Sequence, residues 1–426
     1  MKIALIADVF GKENNGTTIT AKRLVENMRL RGHDVKVIAS SGGDVQLKRR
    51  SIFGFNWYLK LNQVELAKPD KKIIKEAIAD CDVVHFLLPF LTSRKSIKLI
   101  REMEKPYTTA FHCQPENFSS HLFLHRVPFF NRFLYRRFNR LFYKRTQFIH
   151  CPSKFIADQL VKNGYTADKR VISNGVIPTF EKRNVSKPEE LKDKICILFT
   201  GRYVPEKRHD LLIKAVKISK YADKIQIIFA GGGPKLNKIK KLGRSLKNPP
   251  ITKLFTKDEL CDTINYCDLY VHPSDVEIEA IAAIEAFTCG LVPVISDSPN
   301  SATGQFALCE KNLFRHGDPA HLAERIDYWI EHEQEKKELG EKYITYAAQY
   351  SIKNCMDQME KMFLDSIEHY TYYYAERRLM KAAAKKEETW KAAWATEPLF
   401  DKEKFAAPVA ITEFEETASE EIAVNS

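Results

Sequence analysis

Residues 269–297 constrain the fold of this chain more than any other stretch. An apolar run, Leu269-Tyr270-Val271, gives way to a polar loop opened by His272-Pro273-Ser274. Good helix formers follow as far as Gly290, and a second apolar run occupies residues 292–295. Strand, loop, helix and buried strand in that order make a βαβ unit, whose strands lie parallel in a sheet covered on both faces. The alternation recurs. Residues 2–7, 35–39, 83–88, 107–111 and 148–153 read as strands, with helices predicted at 21–31 and 94–103, and a fresh series opens at residue 195 and continues at 225–230. The predicted class is α/β, built from doubly wound parallel sheets.

A chain of 426 residues is too long for one ordinary core and suits two domains with a tail. No apolar run reaches the ~18–20 residues of a membrane span; residues 83–91 come nearest and are interrupted by His85 and Pro89. The N-terminus reaches Asp8 after one positive charge, so it reads as a first strand and not as an export signal. The nine cysteines are scattered without a Cys-x-x-Cys pair, which indicates neither a disulfide framework nor a zinc site. A cytoplasmic location is expected.

Charge is unevenly placed. The first 180 residues hold 31 Lys and Arg against 15 Asp and Glu, a net +16 that exceeds the +12 of the whole chain. Such asymmetry points to an anionic partner: nucleic acid, anionic lipid head groups or a phosphorylated substrate. Residues 126–145 concentrate it, with Arg126, Arg132, Arg136, Arg137, Arg140, Lys144 and Arg145 and no acid. Phe130, Phe133, Leu134, Phe138, Leu141 and Phe142 recur there at helical spacing. A basic amphipathic helix of this kind lies in a membrane interface, aromatic face down and cations on lipid phosphates. A domain helix with an apolar core side has the same pattern. No nucleic-acid recognition fold accompanies the patch, so no nucleic-acid partner is expected. Tyr and Trp beside lysines in residues 370–394 also suit a membrane interface, and residues 397–426, with eight acids and two lysines, read as disordered.

Glu277 and Glu285 stand eight residues apart, roughly 12 Å if the interval were wholly helical, so they could hold opposite ends of one elongated ligand. The first amides of the helix lie between them, and carboxylates accept from paired hydroxyls, which favours a sugar. Acids near a helix start also occur for dipole reasons alone. Arg202 and Lys207 follow the strand at 195–200, where a guanidinium fork and an ammonium could offset the charge of a leaving diphosphate. The loop after the first strand carries Gly11 and Gly16 but neither a Gly-x-Gly-x-x-Gly nor a Walker pattern. His112 stands at a strand end, and the Gly231-Gly232-Gly233 turn reads as tight geometry.

Residues 273–294 resemble the Glu-x7-Glu motif of the retaining, GT-B-fold glycosyltransferases of family 4. Pro273-Ser274 precedes the motif, and Glu285-Ala286-x-x-Cys289-Gly290-x-x-Pro293-Val294 completes it. Gly201-Arg202 with Glu206-Lys207 is similar to the family's diphosphate loop, residues 171–178 to its Asn-Gly-Val segment, and residues 253–260 to the segment whose backbone reads the base. The string His112-Cys113-Gln114-Pro115-Glu116-Asn117 resembles members that act on diacylglycerol.

The resemblance implies a GT-B fold, two doubly wound Rossmann-like domains facing a cleft. Residues 1–178 would form the acceptor and membrane-facing domain, 179–194 a linker, and 195–350 the nucleotide-sugar domain. Residues 351–372 would be a helix crossing back to the first domain, with a helical then acidic tail at 373–426. It further implies retaining transfer of a hexose from a nucleotide sugar, UDP-glucose, to a membrane lipid, 1,2-diacylglycerol, with no metal, by a peripheral protein on the inner face of the cell membrane. In that scheme Glu277 holds the sugar 3- and 4-hydroxyls beside backbone amides of Ile278, Glu279, Ala280 and Ile281. Glu285 takes the ribose, and Arg202 and Lys207 the diphosphate. His112 supports the sugar 6-hydroxyl or leaving phosphate, and Gly16 lies against the donor phosphate. Glu279 and Ala280 stand where many members have Phe and Gly, so Glu279 is expected as an extra acid near the site. Alternatives on the same fold are mannosyl or galactosyl transfer to a phosphoinositide or saccharide, and nucleotide-sugar epimerisation. A non-catalytic basic membrane- or nucleic-acid-binding protein is a further alternative.

Overall fold

A computed structural model describes residues 1–8, 10, 16–51, 66–116 and 128–396, the side chains of 128 and 389–396 excepted. Arg126, Asn117, Gly11 and the acidic residues 397–426 lie outside these. Met1–Thr371 forms one compact unit and Tyr372–Ser426 a second. Both sheets belong to the first unit.

The first sheet has seven parallel strands: β1 (Lys2–Ile6), β2 (Asp34–Ala39), β3 (Val45–Gln46), β4 (Val83–Phe86), β5 (Tyr107–Ala110), β6 (Phe148–Cys151) and β7 (Asp168–Val171). Their order is β3-β2-β1-β4-β5-β6-β7, so winding reverses between β1 and β4. The register pairs Ile3 with Val35 on one side and with Val83 on the other. At the centre of the sheet β1 and β4 are buried on both faces and are short, almost continuous apolar runs, whereas the edge strand β7 is charged and only half-buried. β4 stops at Phe86, short of the predicted residue 88, ahead of Pro89, which has no amide to donate. Between the strands run α1 (Gly16–Leu30), α2 (Lys71–Ala77), α3 (Leu91–Glu102), α4 (Pro128–Leu141) and α5 (Lys154–Lys162). α1 buries Ala21, Leu24, Val25 and Met28 against the sheet. It begins five residues before the predicted start because Thr18 is also buried, and packing overrides the weak helix propensity of the Thr17–Thr20 run.

The second sheet repeats the plan with β8 (Ile195–Thr200), β9 (Ile225–Ala230), β10 (Ile251–Lys253), β11 (Leu269–His272), β12 (Pro293–Ser296) and β13 (Leu313–Phe314). The order β10-β9-β8-β11-β12-β13 reverses between β8 and β11. Its helices are α6 (His209–Ile218), α7 (Leu236–Gly243), α8 (Lys257–Tyr266), α9 (Ile281–Thr288), α10 (Pro319–Glu331) and α11 (Glu333–Ala347). Phe199, Phe229, Phe287, Trp329 and Tyr343 fill its core.

The chain then returns to the first sheet. Val176 donates to Tyr350 O and Ile352 donates to Val176 O, both at 2.8 Å, strapping residues 350–352 beside the link between the domains. α12 (Ile352–Thr396) follows, and Met356, Met359, Met362 and Phe363 bury themselves among Ile3, Leu5, Val35 and Val83. Each such side chain stabilises the dock by about 1.5–3 kcal/mol.

Candidate active site

Open α/β sheets take ligands outside the carboxyl ends of the strands where winding reverses. In the second sheet that crevice is flanked by the loop after β8, which carries Arg202 and Lys207, and the loop after β11, which carries Glu277. Lys207 Nζ donates to Glu277 Oε1, and His272 Nε2 donates to the same oxygen at 2.8 Å. Tyr270 Oη lies 3.1 Å from His272 Nδ1. Burial alone would raise the Glu277 carboxyl, but the Lys207 and His272 beside it outweigh burial and hold it well below the usual carboxylate range. Burial chiefly lowers His272, leaving a neutral imidazole that receives from Tyr270 and donates to Glu277. Among the described residues nothing takes Glu277 Oε2. Lys207 keeps two further N–H donors for an anion.

The loop holding Lys207 is braced from below. Arg208 turns left-handed at φ 53°, and its guanidinium reaches Asp275 at 3.0 Å and Asp210 at 3.3 Å. Asp275 in turn donates its amide to Glu206 O at 2.8 Å. Gly231 presses on Gly201 O so closely that a Cβ there could not fit, in keeping with the tight turn expected of residues 231–233. Arg202 is exposed and makes no ion pair among the described residues.

α9 starts at Ile281, so Glu285 stands little more than one turn in and the interval from Glu277 is helical only in its second half. Ala280 precedes it at φ 68°, ψ 60°, with no side-chain cap; Ala283 donates its amide to Ala280 O at 2.9 Å, which leaves the amides of Ile281 and Ala282 for a ligand. The segment is fixed from the first domain. Ser153 Oγ donates to Ile278 O at 2.6 Å, and Gln114 Nε2 to Asn300 O at 3.0 Å, a carbonyl that also takes the Glu277 amide at 3.4 Å. Arg23 Nη2 reaches Glu285 Oε1 at 3.1 Å.

Glu279 is a buried acid two residues from Glu277. Ser173 Oγ and the Asn174 amide and side chain donate to both of its carboxylate oxygens. Burial, partly offset by these bonds, pushes it up to about 7. His112 is buried at the end of β5, beside His150 at 5.2 Å between ring centroids, and its Nε2 has no hydrogen-bond partner among the described residues. Burial, then the neighbouring His150 and His85, hold it neutral. Gly16 opens α1 with nothing within 4 Å of where a Cβ would stand.

On α4, Arg132, Arg136, Arg137 and Arg140 are exposed, as are Lys144 and Arg145 just beyond it. The aromatic face expected there divides. Phe142 is buried edge-on against Phe86, Phe138 and Leu134 are half-buried, and Phe133 is 51% exposed among the arginines beside Phe129 at 82%. The buried stripe runs instead through Asn131 and Tyr135, whose hydroxyl reaches Glu116 at 3.1 Å. Arg94 of α3 joins the cationic face; burial and then the charges of Arg137 and Arg145 lower its pKa.

Arg23, Arg208, Asp275, Asn300 and the role of His272 escaped sequence reasoning. Only His272 carried a local signal, as a polar residue ending a buried strand beside a loop acid.

Two parallel doubly wound sheets, with a lysine and a buried glutamate at the switch point of the second, define the GT-B architecture of nucleotide-sugar-dependent glycosyltransferases. Residues 14–180 match the family model described as Glycosyltransferase Family 4, and residues 181–349 the one described as Glycosyl transferases group 1. The chain belongs to the GT-B glycosyltransferases of family 4. It is 22% identical over 327 residues to the alpha-monoglucosyldiacylglycerol synthase of Streptococcus pneumoniae, covering 70% of this chain and 71% of that protein. It is also 22% identical over 326 residues to a GDP-mannose-dependent alpha-mannosyltransferase of Mycolicibacterium smegmatis, covering 74% and 84%. The structure of Anabaena HepE in complex with UDP shares the fold, with a TM-score of 0.66 and 17% identity over 86% of this chain and all of that one.

Proposed function

We propose that this glycosyltransferase moves glucose from UDP-glucose to a diacylglycerol hydroxyl, with retention, at an anionic membrane surface. The observation that carries the reading is the Lys207–Glu277 pair at the second switch point. Glu277 Oε2 accepts from the 3- and 4-hydroxyls of the sugar while Oε1 stays tied to Lys207 and His272. The remaining Lys207 protons and the Arg202 guanidinium face the diphosphate. The bond from the anomeric carbon to the β-phosphate oxygen breaks, the acceptor oxygen bonds to that carbon and gives up its proton to the departing β-phosphate oxygen, and the two cations offset the charge left on the nucleoside diphosphate, with no metal required. Glu285 accepts from the ribose diol, and the uncapped amides of Ile281 and Ala282 donate to sugar oxygens. Gly16 lets the donor phosphate approach α1. His112, neutral and with Nε2 unpaired, is suited to a sugar hydroxyl or the leaving phosphate.

The membrane part rests on α4. Six like charges, with Arg94 beside them and Phe129 and Phe133 exposed between, repel one another until an anion covers them. No helix of the described residues is long and apolar enough to cross a bilayer, so attachment would be at the surface. The Streptococcus pneumoniae relative, named for a glucolipid product, favours a lipid acceptor. The Mycolicibacterium smegmatis relative favours a second reading, mannosyl transfer from GDP-mannose. Radiolabelled UDP-glucose and GDP-mannose, each offered with extracted lipid, test the two. Label in the lipid phase from UDP-glucose alone fits the first reading; label from GDP-mannose alone replaces it with the second.

A further inference from the structure

Arg23 lies on α1 in the first domain and Glu285 on α9 in the second, yet the two form a buried ion pair, with side chains 12% and 7% exposed. The guanidinium is anchored from behind, since Nη1 donates to Gly175 O at 3.1 Å. Gly175 cannot drift: at φ +81° it packs on α12, and a Cβ would meet Ile352 at 2.7 Å. The segment Ser173–Gly175 therefore holds two acids of this region, Glu279 of the loop directly and Glu285 of α9 through Arg23. A carboxylate as buried as Glu285 takes up a proton readily unless a cation opposes it. Burial is the largest influence on Glu285 and leaves its carboxyl above the ordinary value; among the charges that hold it down Arg23 is the strongest and Lys257 of α8 contributes less, while the Tyr270 hydroxyl of β11 interacts with the same carboxylate. Among the described residues Arg23 occupies only Oε1, leaving Oε2 open.

We propose that Arg23 is a donor-site positioning residue supplied by the acceptor domain. It ties Oε1 of Glu285 and turns the carboxylate so that Oε2 accepts from the vicinal diol of a nucleoside diphosphate, and the donor site is complete only while the two domains meet at this pair. The inference rests on the proposed role of Glu285 as the ribose acceptor. An ionised carboxylate receives from both hydroxyls, whereas a protonated one loses an acceptor, so without Arg23 the nucleotide affinity becomes dependent on the proton at Glu285. Arg23 is distinct from Arg202 and Lys207: it faces the carboxylate, not the phosphates.

Calorimetric titration of UDP, and separately GDP, into wild type, Arg23→Gln, Arg23→Lys and Glu285→Gln from pH 6.5 to 9 tests this. Arg23→Gln should bind about tenfold more weakly than wild type near neutrality, the size of one lost charged hydrogen bond. That ratio should shrink as pH rises and the unpaired Glu285 ionises, whereas Glu285→Gln should stay weak by a ratio that does not change with pH. KM for the donor should follow the same pattern, with kcat changing less. Arg23→Gln that melts normally and binds like wild type, or is weaker by a pH-independent ratio, overturns the proposal. If Arg23→Gln does not fold, Arg23→Lys decides. Weakened binding that disappears as an added effect in a Glu285→Gln background supports the pair, and wild-type affinity overturns it. Wild type that binds neither UDP nor GDP overturns the donor reading and Arg23 with it. Wild type that binds one of them while Arg23 variants are unchanged overturns only the role of Arg23.

Discussion

Lys207 and Glu277, seventy residues apart and each on a loop at the carboxyl end of a strand, meet in a buried ion pair at the switch point of the second sheet. Arg202 shares the loop with Lys207 but is exposed and unpaired among the described residues. The two cations, equivalent in the family resemblance, are therefore physically different. Lys207→Ala should lower kcat by roughly 10²–10³-fold and also destabilise the fold, by about 3–5 kcal/mol for a buried charge left without its partner. Arg202→Ala should lower kcat similarly with an unchanged melting temperature. Equal melting temperatures for the two variants, measured calorimetrically, would contradict the distinction.

Glu277→Gln and Glu285→Gln should separate the two ends of the donor. With Glu277 at the sugar and Glu285 at the ribose, Glu277→Gln should abolish transfer yet keep UDP affinity, whereas Glu285→Gln should chiefly weaken UDP. Titration of UDP alone reads this out, and a Glu277→Gln protein that has lost UDP while Glu285→Gln retains it reverses the assignment.

Three buried histidines of the first sheet make an acid-sensitive group. Burial, followed by the charge of His150, lowers His85 to about 3, and burial lowers His150 to about 4; His112 is also well below its ordinary value. The unfolded chain takes up these protons near pH 6.5 and the folded chain does not, so stability is present above that value and is withdrawn as pH falls toward 4. Glu279, raised to about 7, and Asp8, raised by burial to about 6, act in the opposite sense, because the folded chain binds their protons first. His85→Asn keeps a polar group near Thr108 but does not titrate. Its loss of stability between pH 7 and pH 5 should be smaller than that of wild type by about 2 kcal/mol. A loss equal to or greater than wild type's in the same thermal scans would show that His85 is not a buried neutral imidazole.

Most of the architecture was legible in the sequence because strands buried on both faces are written as short apolar runs, and Gly32 and Gly290, at φ +83° and +80°, end the helices before them. The switch-point residues were legible because Glu277, Arg202 and Lys207 sit in local motifs. The Arg23–Glu285 pair was not, since its partners are 262 residues apart and neither position advertises the other. The partners of Glu279 escaped for the same reason. On α4, phenylalanines recur around most of the helix, so spacing alone could not fix which stripe faces the core, and nothing in the pattern marks Tyr135 as the buried residue. Ala280 gave no sign in the sequence of its conformation: it is a left-handed alanine at φ 68°, strained by roughly 1–2 kcal/mol, where glycine would be relaxed.

The exposed face of α4 should govern membrane attachment without governing the fold. Arg132, Arg136, Arg137 and Arg140 together changed to Ser should leave the melting temperature and UDP affinity intact and abolish sedimentation with anionic vesicles, at about 1 kcal/mol per cation. Phe129→Ser with Phe133→Ser is the clean test of insertion, since both are exposed, whereas Phe138 is half-buried and Phe142 belongs to the core. A quadruple-Ser protein that melts normally and still sediments would remove the membrane from the account.

The most direct test of the central claim is the product itself. Incubation of the protein with UDP-α-glucose and vesicles of diacylglycerol in anionic lipid, followed by NMR of the lipid extract, should reveal an α-linked glucosyl diacylglycerol. A β-linked product would contradict retention, and no glucosylated lipid in the presence of bound UDP-glucose would contradict the acceptor.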